Sequence, residues 1–377
     1  MGQFKDIRPY RDDEVEEVVN RLLGNPQLLD ALGHIRHRGV PSCLRGLLRP
    51  FVGMYLRRQL KGVNDVRSLQ MCIAPMLEMV IAKTTDNVTW SGLENLSSDK
   101  PCLLLSNHRD IVMDPALVNY VFYRQGLDTT RNAIGDNLLG RPYVADLMRL
   151  NKSFIVHRSL TGRKEKLIAF QRLSAYITDS ITNGHNVWMA HREGRAKDGD
   201  DRTDPAILKM LFMSHKKEGR SFSEMVEMLN IIPVSISYEY DPCDARKAEE
   251  LFQRQDNGDY DKEEDEDLRS IIRGIEGWKG RVHVSFGKPV DSSLDTPQAV
   301  VENIDQQMHQ LYKLWPSNWL ARDIAMKQDN MDQWKKNFSS EDLGALESTF
   351  KERLESCAGN ARDWFLKIYA NPVFNRN

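Results

Sequence analysis

"LLLSNHRDIVMDPALVNYVFY", residues 103–123, sets an apolar run, Leu103 to Leu105, directly against a polar knot of Asn107, His108, Arg109, Asp110 and Asp114. A short aliphatic run that stops at polar residues predicts a buried strand leaving the core. A histidine at the end of such a strand, with an aspartate in the next turn, is the arrangement a general base needs. The carboxylate holds one ring nitrogen so that the other can accept a proton. No serine or cysteine follows closely, so the nucleophile is expected from the substrate: a hydroxyl that loses its proton to His108 and attacks an activated acyl carbon.

Outward from this stretch, β-type runs alternate with helical ones from Asp86 onward. Strands are expected near Val88 to Ser91, Cys102 to Ser106, Asn132 to Ile134, Ser153 to His157, His185 to Ala190, Ile231 to Tyr238 and Arg281 to Phe286. The clearest helix is Arg163 to Thr182, with Leu167, Phe170, Leu173, Ile177 and Ile181 at helical spacing and Asn183-Gly184 as its stop. The alternation predicts an α/β fold: a mixed, mostly parallel sheet of about seven strands covered by helices, with its active site at the strand carboxyl ends. Three stretches are expected: a helical N-terminal region (1–85), the α/β domain (86–292) and a helical C-terminal extension (293–377). In the last, two further helices are expected around Trp319 to Phe338 and Glu341 to Tyr369.

Between His34 and Arg67 lie seven arginines and Lys61 against one acid, Asp65, interleaved with Leu44, Leu47, Phe51, Met54 and Tyr55. That pattern suits either a helix on anionic lipid headgroups or a core helix with a solvated basic face. Residues 255–269 carry eight acids against two basic residues and read as a solvated loop leading into a helix.

The chain has 377 residues, 41% of them hydrophobic and 28% charged, and a formal net charge of -2, enough to bury a substantial core. Its five cysteines (Cys43, Cys72, Cys102, Cys243 and Cys357) are scattered and lack any CxxC spacing, which argues against a disulfide framework and a zinc site. The amino terminus has no apolar signal-peptide core, and the best apolar stretch, Met71 to Ala82, contains Glu78 and is too short to span a bilayer. A protein of the cytoplasm, peripheral on the cytoplasmic face of a membrane, is expected.

His108-Arg109-Asp110 also matches the kinase catalytic-loop triplet, but Pro115 stands where that loop needs asparagine, and neither a GxGxxG loop nor a DFG triplet exists. In order, "SNHRDIVMDP" (106–115), "SFIVHR" (153–158), "HREGR" (191–195) and "IIPVSISYE" (231–239) instead resemble the four blocks of the glycerolipid acyltransferases, with "VTWSGLENL" (88–96) similar to the entry strand. The resemblance covers roughly residues 86–290. It implies His108 as catalytic base and Asp114 as its partner. Arg158, Glu193, Gly194 and Arg195 become substrate-binding residues, with Arg158 and Arg195 on the acceptor phosphate, and Pro233 a structural and acyl-side element.

Two spacings depart from the family. Five residues rather than four separate His108 from Asp114, so either the turn is looser or Asp110 supplies the carboxylate. Arg195 directly follows Gly194, where an intervening residue is usual. Asn107 is a further possible site residue, and Asp136 and Asn137 could line the pocket or cap a helix. Arginine suits the phosphate because its planar fork of donors carries permanent charge.

The implied activity moves a fatty acyl group from an acyl thioester, on coenzyme A or acyl carrier protein, to a glycerol-phosphate-type hydroxyl. It needs no metal or other cofactor. The expected partners are the lipid acceptor, the thioester and a membrane surface, with no nucleic acid. A phospholipid transacylase and an inactive lipid-binding protein remain alternatives.

Overall fold

The computed structural model describes residues 2–30, 45–97, 99–258, 260–263, 266–327, 333–338 and 343–376. The first part of the basic segment, 34–44, lies outside these residues, as does Cys43. Among the described residues there are seven strands: β1 (Asn87–Ser91), β2 (Leu103–Ser106), β3 (Arg131–Gly135), β4 (Ser153–Val156), β5 (Val187–Ala190), β6 (Ile231–Tyr238) and β7 (Arg281–Phe286). The helix Arg163–Thr182 has the bounds its periodicity predicts.

The chain forms two compact units, Met1–Glu78 with Thr130–Arg172, and Met79–Thr129 with Leu173–Asn377. In the second unit the strand order is β1-β7-β6-β2-β5. β2 pairs parallel with both β5 and β6, β1 pairs parallel with β7, and β6 and β7 pair antiparallel. In the first unit β3 and β4 pair in parallel. The fold is therefore α/β with a mixed, mostly parallel arrangement.

Every residue of β2 and of β6 is buried, so Leu103–Leu105 and Ile231–Val234 read as continuous apolar runs, and the serines that follow them are buried too. Leu103, Leu104 and Leu105 are each 0% exposed, and burial of each side chain contributes about 1.5–3 kcal/mol. Pro233 is tolerated in β6 because of where it falls. Its carbonyl accepts from Gly287 N, and the N–H it lacks would face that same side, where β7 has already ended at Phe286.

The units divide the chain differently from the three stretches read along the sequence. Val15, Val18 and Leu22 of the helix Asp12–Leu23 bury their apolar face with Val66, Leu69, Tyr143 and Leu150, so the first helices share a core with the β3–β4 segment. The C-terminal residues are likewise built into the second unit: Phe350, Phe365 and Tyr369 pack with Tyr240 and Ala248. Where one helix was expected over 341–369 there are two, Leu343–Ser356 and Arg362–Phe374, separated by a turn containing Gly359. The helix expected around Trp319 is shorter, Pro316–Ala325.

Candidate active site

β2 delivers its polar knot to the carboxyl end of the sheet. His108 Nδ1 lies 2.9 Å from Asp114 Oδ2, with the imidazole 15% exposed and the carboxylate 0% exposed. The same oxygen accepts the backbone N–H of Arg109 at 2.6 Å and of Asp110 at 2.9 Å. The extra residue between histidine and aspartate is thus absorbed by a tight turn ahead of the helix Met113–Arg124. Asp114 sits in that helix's first turn, where the macrodipole favours an anion. Asp110 does other work: its Oδ1 accepts from the N–H groups of Val112 and Met113, and burial, with Asp114 nearby, raises its pKa. Since an ionised carboxylate only accepts, Nδ1 of His108 carries the proton, and Nε2 presents a lone pair with no protein partner among the described residues.

Around this pair is a buried polar frame. Asn107 extends the β2–β6 ladder with its side chain: Oδ1 accepts from Ile236 N at 2.8 Å, and Nδ2 donates to Ile236 O at 3.1 Å and to Asp201 Oδ2 at 3.0 Å. The Arg109 guanidinium meets the same Asp201 oxygen at 2.6 Å; burial pulls its pKa down, and Asp201, with Tyr312 and Asp241 nearby, more than reverses this. Tyr238 donates to Asp114 Oδ1, and Trp188 lies edge-on to the His108 ring with centroids 6.0 Å apart. His191 is buried against Thr203, and burial pushes it down to about 4, so it is neutral near pH 7.

Of these framing residues Asn107 is expected from the sequence as a possible site residue, whereas Arg109, Asp201, Tyr238, Trp188 and His191 are given no role there. Arg109 and Tyr238 carried one weak signal, a polar group at or just beyond the end of a mostly apolar strand; Asp201 and Trp188 carried none.

The third block places its residues on the loop after β5. Ala196 N donates to His108 O at 2.9 Å, which ties this loop to the base. Gly194 needs its identity, since its φ of 75° is left-handed. Glu193 is exposed. Arg195 is half-buried and has no hydrogen-bond or ion-pair partner among the described residues. It lines a cavity of about 220 Å³ together with Arg246, Lys247, Glu249, Glu250 and Glu266.

In the other unit, Arg158 is exposed just beyond β4, its side chain lying over Gly135. Asp136 binds the turn beside it, accepting from Arg158 N at 3.0 Å, Ser159 N at 3.2 Å and Ser159 Oγ at 2.6 Å. Burial raises the Asp136 pKa, and these donors outweigh it, so the net shift is downward. Asp136 is thus a turn-binding residue.

A carboxylate-held imidazole at a parallel-strand end, with its second nitrogen open, is the arrangement of a general base, and residues 87–237 match the acyltransferase family model. The chain is 26% identical over 215 residues to a glycerol-3-phosphate acyltransferase of Pseudoalteromonas atlantica, covering 55% of this chain and 25% of the relative. It is 24% identical over 232 residues to the dihydroxyacetone phosphate acyltransferase of Bos taurus, covering 60% and 32% respectively. The chain therefore spans between about a quarter and a third of these curated relatives. Among solved structures it is similar to the 1-acyl-sn-glycerophosphate acyltransferase PlsC of Thermotoga maritima, at 14% identity and a TM-score of 0.40, over 77% of this chain and 97% of that one.

Proposed function

We propose that the protein transfers a fatty acyl group from an acyl thioester to a hydroxyl of a phosphorylated three-carbon acceptor: glycerol 3-phosphate, dihydroxyacetone phosphate or lysophosphatidate. The observation that carries this reading is the His108 ring, held at Nδ1 by Asp114 with Nε2 open. Nε2 takes the acceptor hydroxyl's proton as the oxygen attacks the thioester carbonyl. The tetrahedral adduct collapses, the C–S bond breaks, and the thiolate recovers that proton from the imidazolium. Positioning and base catalysis supply the rate. Arg195, without a carboxylate partner among the described residues, supports a role on the acceptor phosphate. Arg158 is assigned the same role by resemblance alone.

The test is acyl transfer by purified protein from labelled acyl-coenzyme A and acyl carrier protein to those three acceptors and to glycerol and monoacylglycerol. Labelled product is expected only with the phosphorylated acceptors. Arg195→Ala and Arg158→Ala should each raise the acceptor KM by on the order of tenfold, the value of one lost charge-assisted contact. Absence of transfer from either donor to any of the three would remove the reading.

The helix Arg45–Gln59 supports attachment to a lipid surface. Phe51 is 65% and Met54 63% exposed beside the exposed Arg57 and Arg58, a pairing of apolar and basic side chains suited to an anionic interface. No helix among the described residues is long and apolar enough to cross a membrane. The protein should co-sediment with vesicles containing anionic phospholipid, and Phe51→Glu with Met54→Glu should abolish this while leaving the melting temperature unchanged. Unaltered co-sedimentation of that double variant would refute this face.

A further inference from the structure

We infer that Tyr238 is a positioning residue of the acyl-transfer site, whose phenol fixes the Asp114 carboxylate that aims His108. The inference rests on the His108–Asp114 reading above and adds a third member from another part of the sheet. Tyr238 is the last residue of β6, and its hydroxyl donates to Asp114 Oδ1 at 2.7 Å. The other oxygen, Oδ2, is already occupied by His108 Nδ1 and by the amides of Arg109 and Asp110. Donors from the loop after β2 hold one oxygen and β6 holds the other, so the carboxylate cannot rotate without breaking a buried bond. The direction of donation is unambiguous, because an ionised carboxylate offers only lone pairs. Burial, with the charges of Asp114 and Asp110, keeps the proton on the phenol well above the ordinary tyrosine range, so Tyr238 remains a donor wherever the enzyme would work.

The charged and titratable groups around the pair come from several elements. Arg109 and Asp110 lie on the loop after β2, His191 at the end of β5, Asp241 and Lys247 after β6, and Lys279 before β7. Arg109 is neutralised by Asp201, and Lys247 by Asp241. Tyr238 is the neutral side chain among them that bonds Asp114 directly.

Tyr238→Phe preserves ring volume and deletes only the donor. A carboxylate with one fewer donor holds a proton more readily, and the coupled pair then retains its proton to higher pH. The acid limb of kcat/KM should move up by about one pH unit and kcat fall about tenfold, with both KM values within about twofold. Tyr238→3-fluorotyrosine, a stronger donor in the same space, should move the limb the other way, and it decides the matter if the phenylalanine variant does not fold. Acid limbs that superimpose on the parent's in the folded variants would overturn the inference. If the parent transfers no acyl group, the proposed function fails separately. The NMR titration of the His108 ring nitrogens then reads the same coupling without turnover: a shift in the phenylalanine variant supports it, and an unchanged titration overturns it.

Discussion

His108→Ala is expected to lower the rate of the proposed acyl transfer by about 10² to 10⁴, the usual contribution of a positioned general base, and to leave the fold intact. The imidazole is 15% exposed and lies on the loop after β2 rather than in the sheet core. Its removal does not strand Asp114, whose oxygens keep the amides of Arg109 and Asp110 and the hydroxyl of Tyr238. A loss of turnover with an unchanged melting curve is therefore the expected pair of results. Asp114→Asn differs in kind: its amide oxygen can keep the Arg109 and Asp110 N–H groups while its nitrogen donates to the Tyr238 hydroxyl, but the charge that would stabilise the protonated imidazole is gone, so activity falls with little loss of stability. Turnover retained within about threefold in His108→Ala would end the base assignment, because losing a base costs at least about a hundredfold.

The largest effect on stability is expected at Asp201. Its Oδ2 accepts from Arg109 at 2.6 Å and Asn107 at 3.0 Å, and both partners of the ion pair are 5% exposed. Asp201→Ala leaves the guanidinium buried with Gly199 O, at 3.2 Å, as its remaining hydrogen-bond acceptor. Breaking a buried pair from one side costs about 3–5 kcal/mol, which lowers the melting temperature by on the order of 10 °C. Asp201→Asn keeps an acceptor and should lose less. Replacing both partners with apolar residues, Arg109→Met with Asp201→Leu, should recover much of the loss, since no uncompensated charge remains. The readout is thermal unfolding by circular dichroism; an Asp201→Ala transition within about 2 °C of the parent's would show that the pair contributes little.

The two variants probe different layers of one construction. On the proposed function His108 faces the substrate, whereas Asp201 and Asn107 hold the end of β2 in register with β6 so that its ring has a fixed origin. Tyr238 links the layers, since it belongs to β6 and bonds the carboxylate that orients the base.

Local chemistry was enough for much of this. Burial on both faces gives β2 and β6 the apolar runs Leu103–Leu105 and Ile231–Val234, so their positions were legible, and β6, β7 and the helix Arg163–Thr182 kept the bounds their patterns implied. Juxtaposition of a histidine with nearby carboxylates was legible too, because a strand end and the following turn keep them close. Choosing between Asp110 and Asp114 was a matter of turn geometry, which depends on where the backbone amides of Arg109 and Asp110 point. Asp201 meets Arg109 across 92 positions and Tyr238 meets Asp114 across 124. No periodicity records such contacts; they exist only once strands from distant parts of the chain lie side by side. The union of the first helix with the β3–β4 segment has the same origin: an apolar helix face announces that it will be buried, but its partner is selected by packing, which is a property of the folded chain.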